Sequence, residues 1–317
     1  MLAMEMRSLG ASGMQVSRLC FGTLTMGPMQ RGFSPERGAA LLTYAYARGF
    51  RFLDTADIYD TYPHIRLALQ KCAYRVSTKA YCWDKATASA ALERAFFGLD
   101  REYVDVFMLH EQESLYTLRG HQEALDYLNE QKAKGRIGLV GVSTHYAGCV
   151  RAAAVFGGVD VIHPLINVEG IGIQDGTRAD MEAAIAYAHS LGVGIFAMKP
   201  LGGGHLISSS AEAMGYLRDA EWADSIAAGM QSFEEIDTNV AFFENAPDAM
   251  ERMEKLRGKK RRIIVQDYCE GCGRCAARCR QGAISIVDGQ SHIDQDKCVK
   301  CGVCIEKCPF KSILKNA

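Results

Sequence analysis

Residues 49–59 read GFRFLDTADIY. The glycine closes the amphipathic segment before it, PERGAALLTYAYARG, as a helix C-terminus does. The apolar, β-prone FRFL follows, and polar residues begin at Asp54. Helix end, short buried strand and polar loop, in that order, make one unit of a strand–helix repeat. Working outward, the β-rich runs are VSRLCFGT, FRFLDTA, RVSTKA, VDVFMLH, IGLVGVST, VDVIHPLIN, GVGIFAMK and ADSIAAGM, all between Val16 and Met230. Helical patterns such as KATASAALERAFFGL, HQEALDYLNEQKAKG and RADMEAAIAYAHSLG separate them. Such alternation implies βαβ units and a parallel sheet, and eight runs suit a closed (β/α)8 TIM barrel of the α/β class. A doubly wound open sheet is the rival. It wants a glycine-rich turn after its first strand, and FGTLTMG is a poor match to G-x-G-x-x-G.

The chain has 317 residues, enough for a barrel of about 250 and a small appendage. At 48% hydrophobic and 23% charged it has the composition of a globular protein with a real core. No apolar run approaches the roughly 20 residues that cross a bilayer, so no membrane partner is expected. The opening MLAMEMRSLG lacks an apolar block with a cleavage site, which points to a cytoplasmic protein with reduced thiols, at home in anaerobic conditions. After the eighth run, SFEEIDTNVAFFENA and DAMERMEKLRG read as two more helices. GKKRR at 258–262 then breaks the composition and reads as a linker, or as a charged turn inside one unit. The expected domains are therefore 1–257, the barrel, and 258–317, a small α+β unit. From Gly258 onward 12 Lys and Arg stand against 6 Asp and Glu, a balance of +6. No basic stripe interleaved with aromatics is present, so nucleic-acid binding does not follow.

Eight of the twelve cysteines explain the small unit. CEGCGRCAARCR begins at Cys269 and CVKCGVCIEKCP at Cys298, each with the spacing C-x2-C-x2-C-x3-C. That spacing lets one loop wrap three corners of a cubane iron–sulfur cluster, while the fourth cysteine serves the other cluster. Cys269, Cys272, Cys275 and Cys308 then hold one 4Fe–4S cluster, and Cys298, Cys301, Cys304 and Cys279 the second. ISIVDGQSHID between the runs reads as a hairpin turning near Asp288 and Gly289. Zinc is the alternative for C-x2-C pairs, but zinc does not need four cysteines in one run, twice, with Pro309 after the last. The tail resembles a bacterial two-cluster 4Fe–4S ferredoxin, with one departure: Arg280 stands where that family usually has proline. The other cysteines, Cys20, Cys72, Cys82 and Cys149, read as small buried side chains. His64, His121, His189, His205 and His292 show no ligand spacing.

Four polar residues of the barrel stand out: Asp54, Tyr59, Lys79 and His110. Asp54, Lys79 and His110 fall at the C-terminal ends of the second, third and fourth strands, and Tyr59 in the loop after the second. Barrel enzymes keep their chemistry on that rim. The set suits carbonyl reduction. Hydride arriving at carbon leaves an oxyanion to be protonated, and a phenol is a poor acid unless a neighbouring ammonium stabilises its phenolate. Asp54 would fix Lys79 by an ion pair, and His110 would orient the carbonyl oxygen.

From RSLGASGMQVSRLCFGT through GFRFLDTADIY, VSTK, YVDVFMLH, KAKGRIGLVGVSTH and MKPLGGG to MQSFEEIDTN, the barrel resembles the aldo-keto reductase family. The resemblance implies catalytic Tyr59, Lys79, Asp54 and His110, and a nicotinamide cofactor lying across the barrel mouth. It puts Ser143 at the carboxamide, Pro200, Leu201, Gly202 and Gly203 under the pyrophosphate, and Ser232 and Asn239 at the adenosine end. Thr23, at the end of the first strand, joins this set. The chain departs from the family at Thr144, for the usual Asn, at His163, for Gln on the sixth strand, and at Met198, for the aromatic that stacks on nicotinamide. Gly229, Gln231 and Glu235 stand where a 2′-phosphate commonly meets Lys or Arg. A carboxylate there repels a phosphate dianion, so NADH is favoured over NADPH.

Three readings follow. The chain is a nicotinamide-dependent reductase of a small-molecule carbonyl, with the cluster domain docking a redox protein partner or stabilising the fold. Alternatively the barrel is a ferredoxin-fed reductase, or the barrel is a docking scaffold for an electron-transfer subunit. Hydride moves two electrons and a cluster one, and joining the two normally takes a flavin, for which the sequence shows no clear site. The Gly204–Ala211 loop is short, so the mouth is expected to be open on that side.

Overall fold

The computed structural model describes residues 4–257 and 262–316. A short antiparallel hairpin opens the chain, β1 (Met6–Ser8) with β2 (Gln15–Ser17). Eight parallel strands then form a closed barrel: β3 (Leu19–Gly22), β4 (Phe52–Asp54), β5 (Arg75–Ala80), β6 (Val104–Leu109), β7 (Ile137–Thr144), β8 (Val161–Pro164), β9 (Gly194–Met198) and β10 (Ser225–Gly229). Each lies in one of the eight apolar runs. β10 closes the ring on β3, with Ile226 opposite Leu19 and Ala228 opposite Phe21. The open-sheet rival is thereby excluded.

Helices α1 (Pro35–Ala47), α2 (Tyr62–Leu69), α3 (Lys85–Leu99), α4 (Leu115–Gly120), α5 (Gln122–Ala133), α6 (Ala147–Ala153), α7 (Arg178–Ser190) and α8 (Ser210–Arg218) connect the strands. Local chemistry sets their ends. Asp84 accepts from the Thr87 amide at 2.7 Å and so caps α3, a contact typically worth about 1 kcal/mol. Past α7, Gly192 takes φ +83°, which a side chain would strain, and the helix stops. α9 (Phe233–Phe243) and α10 (Ala249–Arg257) are the two extra helices expected after the eighth strand.

Apolar residues pack in two layers. Cys20, Phe52, Val106, Met108, Val161 and Phe196 fill the inside of the barrel, and Leu9 from the hairpin packs with them. Gly10 donates to Asp224 at 2.9 Å and Ala11 to the Gly192 carbonyl at 2.8 Å, so the hairpin stoppers the N-terminal end. The larger layer, including Phe21, Leu42, Leu92, Phe107 and Ile185, lies between strands and helices. With one end stoppered, the polar residues at the C-terminal strand ends are left as the working face.

The small unit pairs its first and last strands, β11 (Arg262–Val265) with β14 (Ile313–Asn316). β12 (Ile284–Val287) and β13 (Gln290–Ile293) form the expected hairpin. Its two turn residues, Asp288 and Gly289, take φ +49° and +73°, as a two-residue reversal of this hand requires. Two short helices, α11 (Arg274–Arg278) and α12 (Val303–Glu306), carry cysteines. Ile263, Ile305 and Ile313 pack with Cys275, Cys304 and Cys308. Of the expected linker, residues 258–261 lie outside the described residues, and Arg262 opens β11. Among the described residues no helix is long and apolar enough to cross a membrane.

One expectation is overturned. The side of the mouth beside Gly204 is not open. A Cβ built on Gly204 would lie 3.2 Å from the Lys300 carbonyl oxygen and 3.3 Å from the Cys301 Cα. The loop is short, and the small domain covers it.

Candidate active site and cluster ligands

β4 and β5 set the centre of the site. Their register puts Asp54 opposite Ser77, so Lys79 lies one pleat nearer the mouth on the same face. Its Nζ donates to both carboxylate oxygens of Asp54 at 2.8 Å and to the Thr55 carbonyl at 2.8 Å. Lys79 is 1% exposed and Asp54 5%. Burial pushes the Asp54 carboxyl up, but Lys79 and then His163 outweigh it and hold the pKa at about 2. Lys79 is raised: burial works downward, and Asp54, with Tyr59 behind it, works upward. The expected ion pair is present and nearly sealed from water.

Tyr59 ends a single turn, Asp57–Tyr59, after β4, and its ring centroid stands 5.0 Å from the Lys79 ammonium. The expectation of a phenol made acidic by that ammonium needs correction. Burial raises the Tyr59 pKa. Lys79 pulls it down, Asp54 and Glu111 push it up, and the balance is upward. Tyr59 is therefore a neutral phenol at rest, and the ammonium offsets part of the cost of its ionising. His110 follows β6 directly. Burial first, then Lys79, hold its pKa down to about 2, so it is neutral. Its ring meets Tyr59 edge-on at 6.1 Å and stacks on Tyr81 at 4.6 Å, and its buried Nδ1 has no hydrogen-bond partner.

Four neighbours escaped the sequence reading: Tyr81, Glu111, Lys199 and His145. Tyr81, just past β5, donates to the Glu111 carboxylate through a short hydrogen bond, tying two strand ends together above His110. Lys199, just past β9, sits 3.1 Å from His145 Nε2, just past β7. The pair is 54 positions apart in sequence. Lys199 holds a left-handed backbone at φ +59°, and burial holds His145 at a pKa of about 3 with Lys199 adding to it. A basic residue before Pro200 was the local signal. Cys20, packed inside the barrel, is within electrostatic reach of Asp54 and Lys79, and burial drives its pKa up.

Of the residues expected at a dinucleotide, His163 and Thr23 are turned inward, and the others stand at or just past the ends of β7, β9 and β10. Ser143 Oγ accepts from the Glu111 amide at 2.9 Å, and Thr144 Oγ1 from the Tyr146 amide at 3.0 Å. His163 is turned into the barrel: Nδ1 bonds the Phe196 carbonyl, its ring stacks on Phe196 at 3.9 Å, and Nε2 stands 3.6 Å from Asp54. Thr23 Oγ1 donates to the Asp54 carbonyl at 3.0 Å, so it braces the site from beneath. Met198 ends β9, and Pro200, Leu201, Gly202 and Gly203 follow in a tight turn. A Cβ on Gly203 would meet nothing within 4 Å, which leaves its backbone open to a ligand. Ser232 caps α9 by accepting from the Glu235 amide at 3.2 Å, and Asn239 lies on that helix. The Glu235 carboxylate accepts from the Gln231 amide at 2.8 Å, which fixes it at the start of α9.

In the small domain cysteines of the two motifs come near one another. Ser291 Oγ stands 3.6 Å from Cys269 Sγ and 3.1 Å from Cys275 Sγ. Cys308, bonded to Ser312 at 3.2 Å, is within electrostatic reach of Cys269 across the two motifs. Cys298 is likewise within reach of Cys301 and Cys279, and Cys304 of Cys298, Cys301 and then Cys275. Among the described residues no three His, Cys, Asp or Glu side chains close on a single point.

Comparison with known proteins agrees. Residues 18–263 match the aldo/keto reductase family model, and residues 261–309 match that of a 4Fe-4S dicluster domain. Probable aldo-keto reductase 1 of Glycine max is 25% identical over 214 residues, 62% of this chain and 59% of that one. The chain thus spans less than two thirds of that relative. L-galactose dehydrogenase of Arabidopsis thaliana is 26% identical over 223 residues, 65% of this chain and 68% of that one. Two solved structures share the fold. The PA4992 protein of Pseudomonas aeruginosa has a TM-score of 0.65 at 20% identity, covering 76% of this chain and 94% of its own. The aldo-keto reductase AKR11C1 of Bacillus halodurans has 0.65 at 18%, covering 80% and 96%. By sequence, by barrel and by the family match over most of its length, this chain belongs to the aldo/keto reductase family of oxidoreductases, and it carries a 4Fe–4S dicluster domain at its C-terminal side.

Proposed function

We propose that the chain reduces an aldehyde or ketone to the alcohol, with a nicotinamide dinucleotide as hydride donor and Tyr59 as proton donor. The observation that carries this reading is Lys79, 1% exposed, bonded to Asp54 and 5.0 Å from the Tyr59 ring. When bound, the nicotinamide would supply hydride to the carbonyl carbon. The chain's own part is electrostatic and protonic. Tyr59 rests protonated and can give its proton to the oxyanion, because the Lys79 charge stabilises the phenolate left behind. Asp54 keeps Lys79 charged in a dry site. Neutral His110 donates a hydrogen bond to the carbonyl oxygen without competing as an acid.

The turn at 200–203 suits a pyrophosphate, since Gly203 leaves backbone uncovered. The Glu235 carboxylate suits a ribose hydroxyl and repels a 2′-phosphate, so NADH is the proposed partner. Eight cysteines would hold the two clusters, which store single electrons, and a one-electron carrier protein is the proposed redox partner. Calorimetry with NADH and NADPH, followed by transfer of deuterium from labelled NADH to an aldehyde, tests the reading. Deuterium at the alcohol carbon is expected. Absence of nicotinamide binding overturns it.

A second reading, in which the clusters feed the barrel, is favoured by one contact: the backbone of Lys300 and Cys301 lies against Gly204, next to the proposed pyrophosphate turn.

A further inference from the structure

The small domain is not hung at random on the barrel. It meets the working face at Gly204, and further groups of the two stand near one another. The Lys300–Cys301 backbone abuts Gly204, which takes φ +104° and has no side chain to hold the two apart. Glu306, at the end of α12, is within electrostatic reach of Tyr81 and Lys199, both on the mouth, and Arg280 of His205. Leu314 of β14 shares a crevice of about 410 Å³ with residues 30–34 and Arg37 of α1. Lys300, Cys301 and Glu306 belong to the second cysteine motif, and Arg280 follows the one cysteine that the first motif lends to it. Cys272, in the other ligand set, is exposed.

We infer that Cys298, Cys301, Cys304 and Cys279 form the inner ligand set, facing the barrel mouth through the Gly204 contact, and that Cys269, Cys272, Cys275 and Cys308 form the outer set, which meets an external one-electron carrier. With clusters bound, the carrier would give one electron to the outer set and the inner set would end one electron reduced, with no bond or proton changed. The inference rests on the iron–sulfur reading of the small domain and does not need carbonyl turnover.

The test uses the anaerobic holoprotein grown with fluorotyrosine. Fluorine NMR is recorded before and after dithionite, with lines assigned through Tyr81→Phe and Tyr127→Phe. Tyr127 lies on α5 in the outer helical layer, where its hydroxyl donates to Ser89 of α3 at 3.0 Å. Reduced clusters are paramagnetic. The Tyr81 line is expected to broaden to loss on reduction while Tyr127 stays sharp. Two variants identify the responsible set. Cys272→Ser should shift one component of the electron paramagnetic resonance spectrum and leave the loss of the Tyr81 line as it is. Gly204→Val should shift the other component and restore the Tyr81 line. A Tyr81 line as sharp as Tyr127 after full reduction overturns the inference, as does a loss that follows the component moved by Cys272→Ser. If Gly204→Val fails to load its clusters, the wild type and Cys272→Ser still decide. A protein with no cubane signal at all removes the premise, a result distinct from either.

Discussion

Replacing Lys79 with methionine strands the Asp54 carboxylate in a site where it is 5% exposed. Two estimates bracket the cost. The Asp54 pKa falls from 3.8 to about 2, and at 1.36 kcal/mol per unit the charged form is favoured in the fold by roughly 2 kcal/mol. Breaking a buried pair from one side costs more, about 3–5 kcal/mol, because the remaining charge stays desolvated. The second figure should govern, since Lys79 also leaves the Thr55 carbonyl without its 2.8 Å donor. Unfolding of a protein that holds metal clusters is not two-state, so hydrogen exchange of the β4 and β5 peptides is the better assay. At pH 7, Lys79→Met should lower the opening free energy of those peptides by about 3 kcal/mol or more. Asp54→Asn/Lys79→Met should recover most of the loss, because no buried charge remains. The sign with pH is fixed. Asp54 is depressed on folding, so its contribution is full above the unfolded value near 3.8 and fades as pH falls toward about 2. A single variant as protected as wild type, or a double variant less protected than the single, would refute the pairing argument.

His110, held near pKa 2, should contribute no limb to a pH–rate profile between about pH 5 and 8, and His110→Ala should lower kcat roughly 100-fold; a limb that disappears in the variant would contradict this. Glu235→Gln should tighten NADPH binding several-fold and leave NADH nearly unchanged, as read by calorimetry; equal effects on both would remove the repulsion argument. Cys279→Ala should cost one of two clusters and about half the bound iron while the Cys269 group stays loaded, which iron analysis and low-temperature spectra check; loss of neither cluster would break the crossed ligand scheme.

The barrel was legible because each strand is an apolar run that ends in polar residues, and that pattern is local. Asp54 and Lys79 could be paired from sequence because adjacent parallel strands put their ends side by side. The cysteine runs were legible for the same reason: ligand spacing within a short loop is a local property. What escaped was long-range. Lys199 meets His145 only because β7 and β9 flank β8, and no periodicity encodes that contact. The direction of the Tyr59 shift depends on how deeply the phenol is buried, which its neighbours in sequence do not reveal. The covering of Gly204 by Lys300 and Cys301 depends on how two folded surfaces fit, so a loop that looked short and open is in fact roofed.

The central claim is that a neutral phenol beside a buried ammonium delivers the proton in a hydride reduction. Single-turnover kinetics of Tyr59→Phe with NADH and an aldehyde tests it most directly, with calorimetry and cluster absorbance recorded on the same sample. The account predicts nicotinamide affinity and cluster absorbance equal to wild type, with the reduction step slowed by about 100-fold or more. Undiminished alcohol formation in that variant would contradict it.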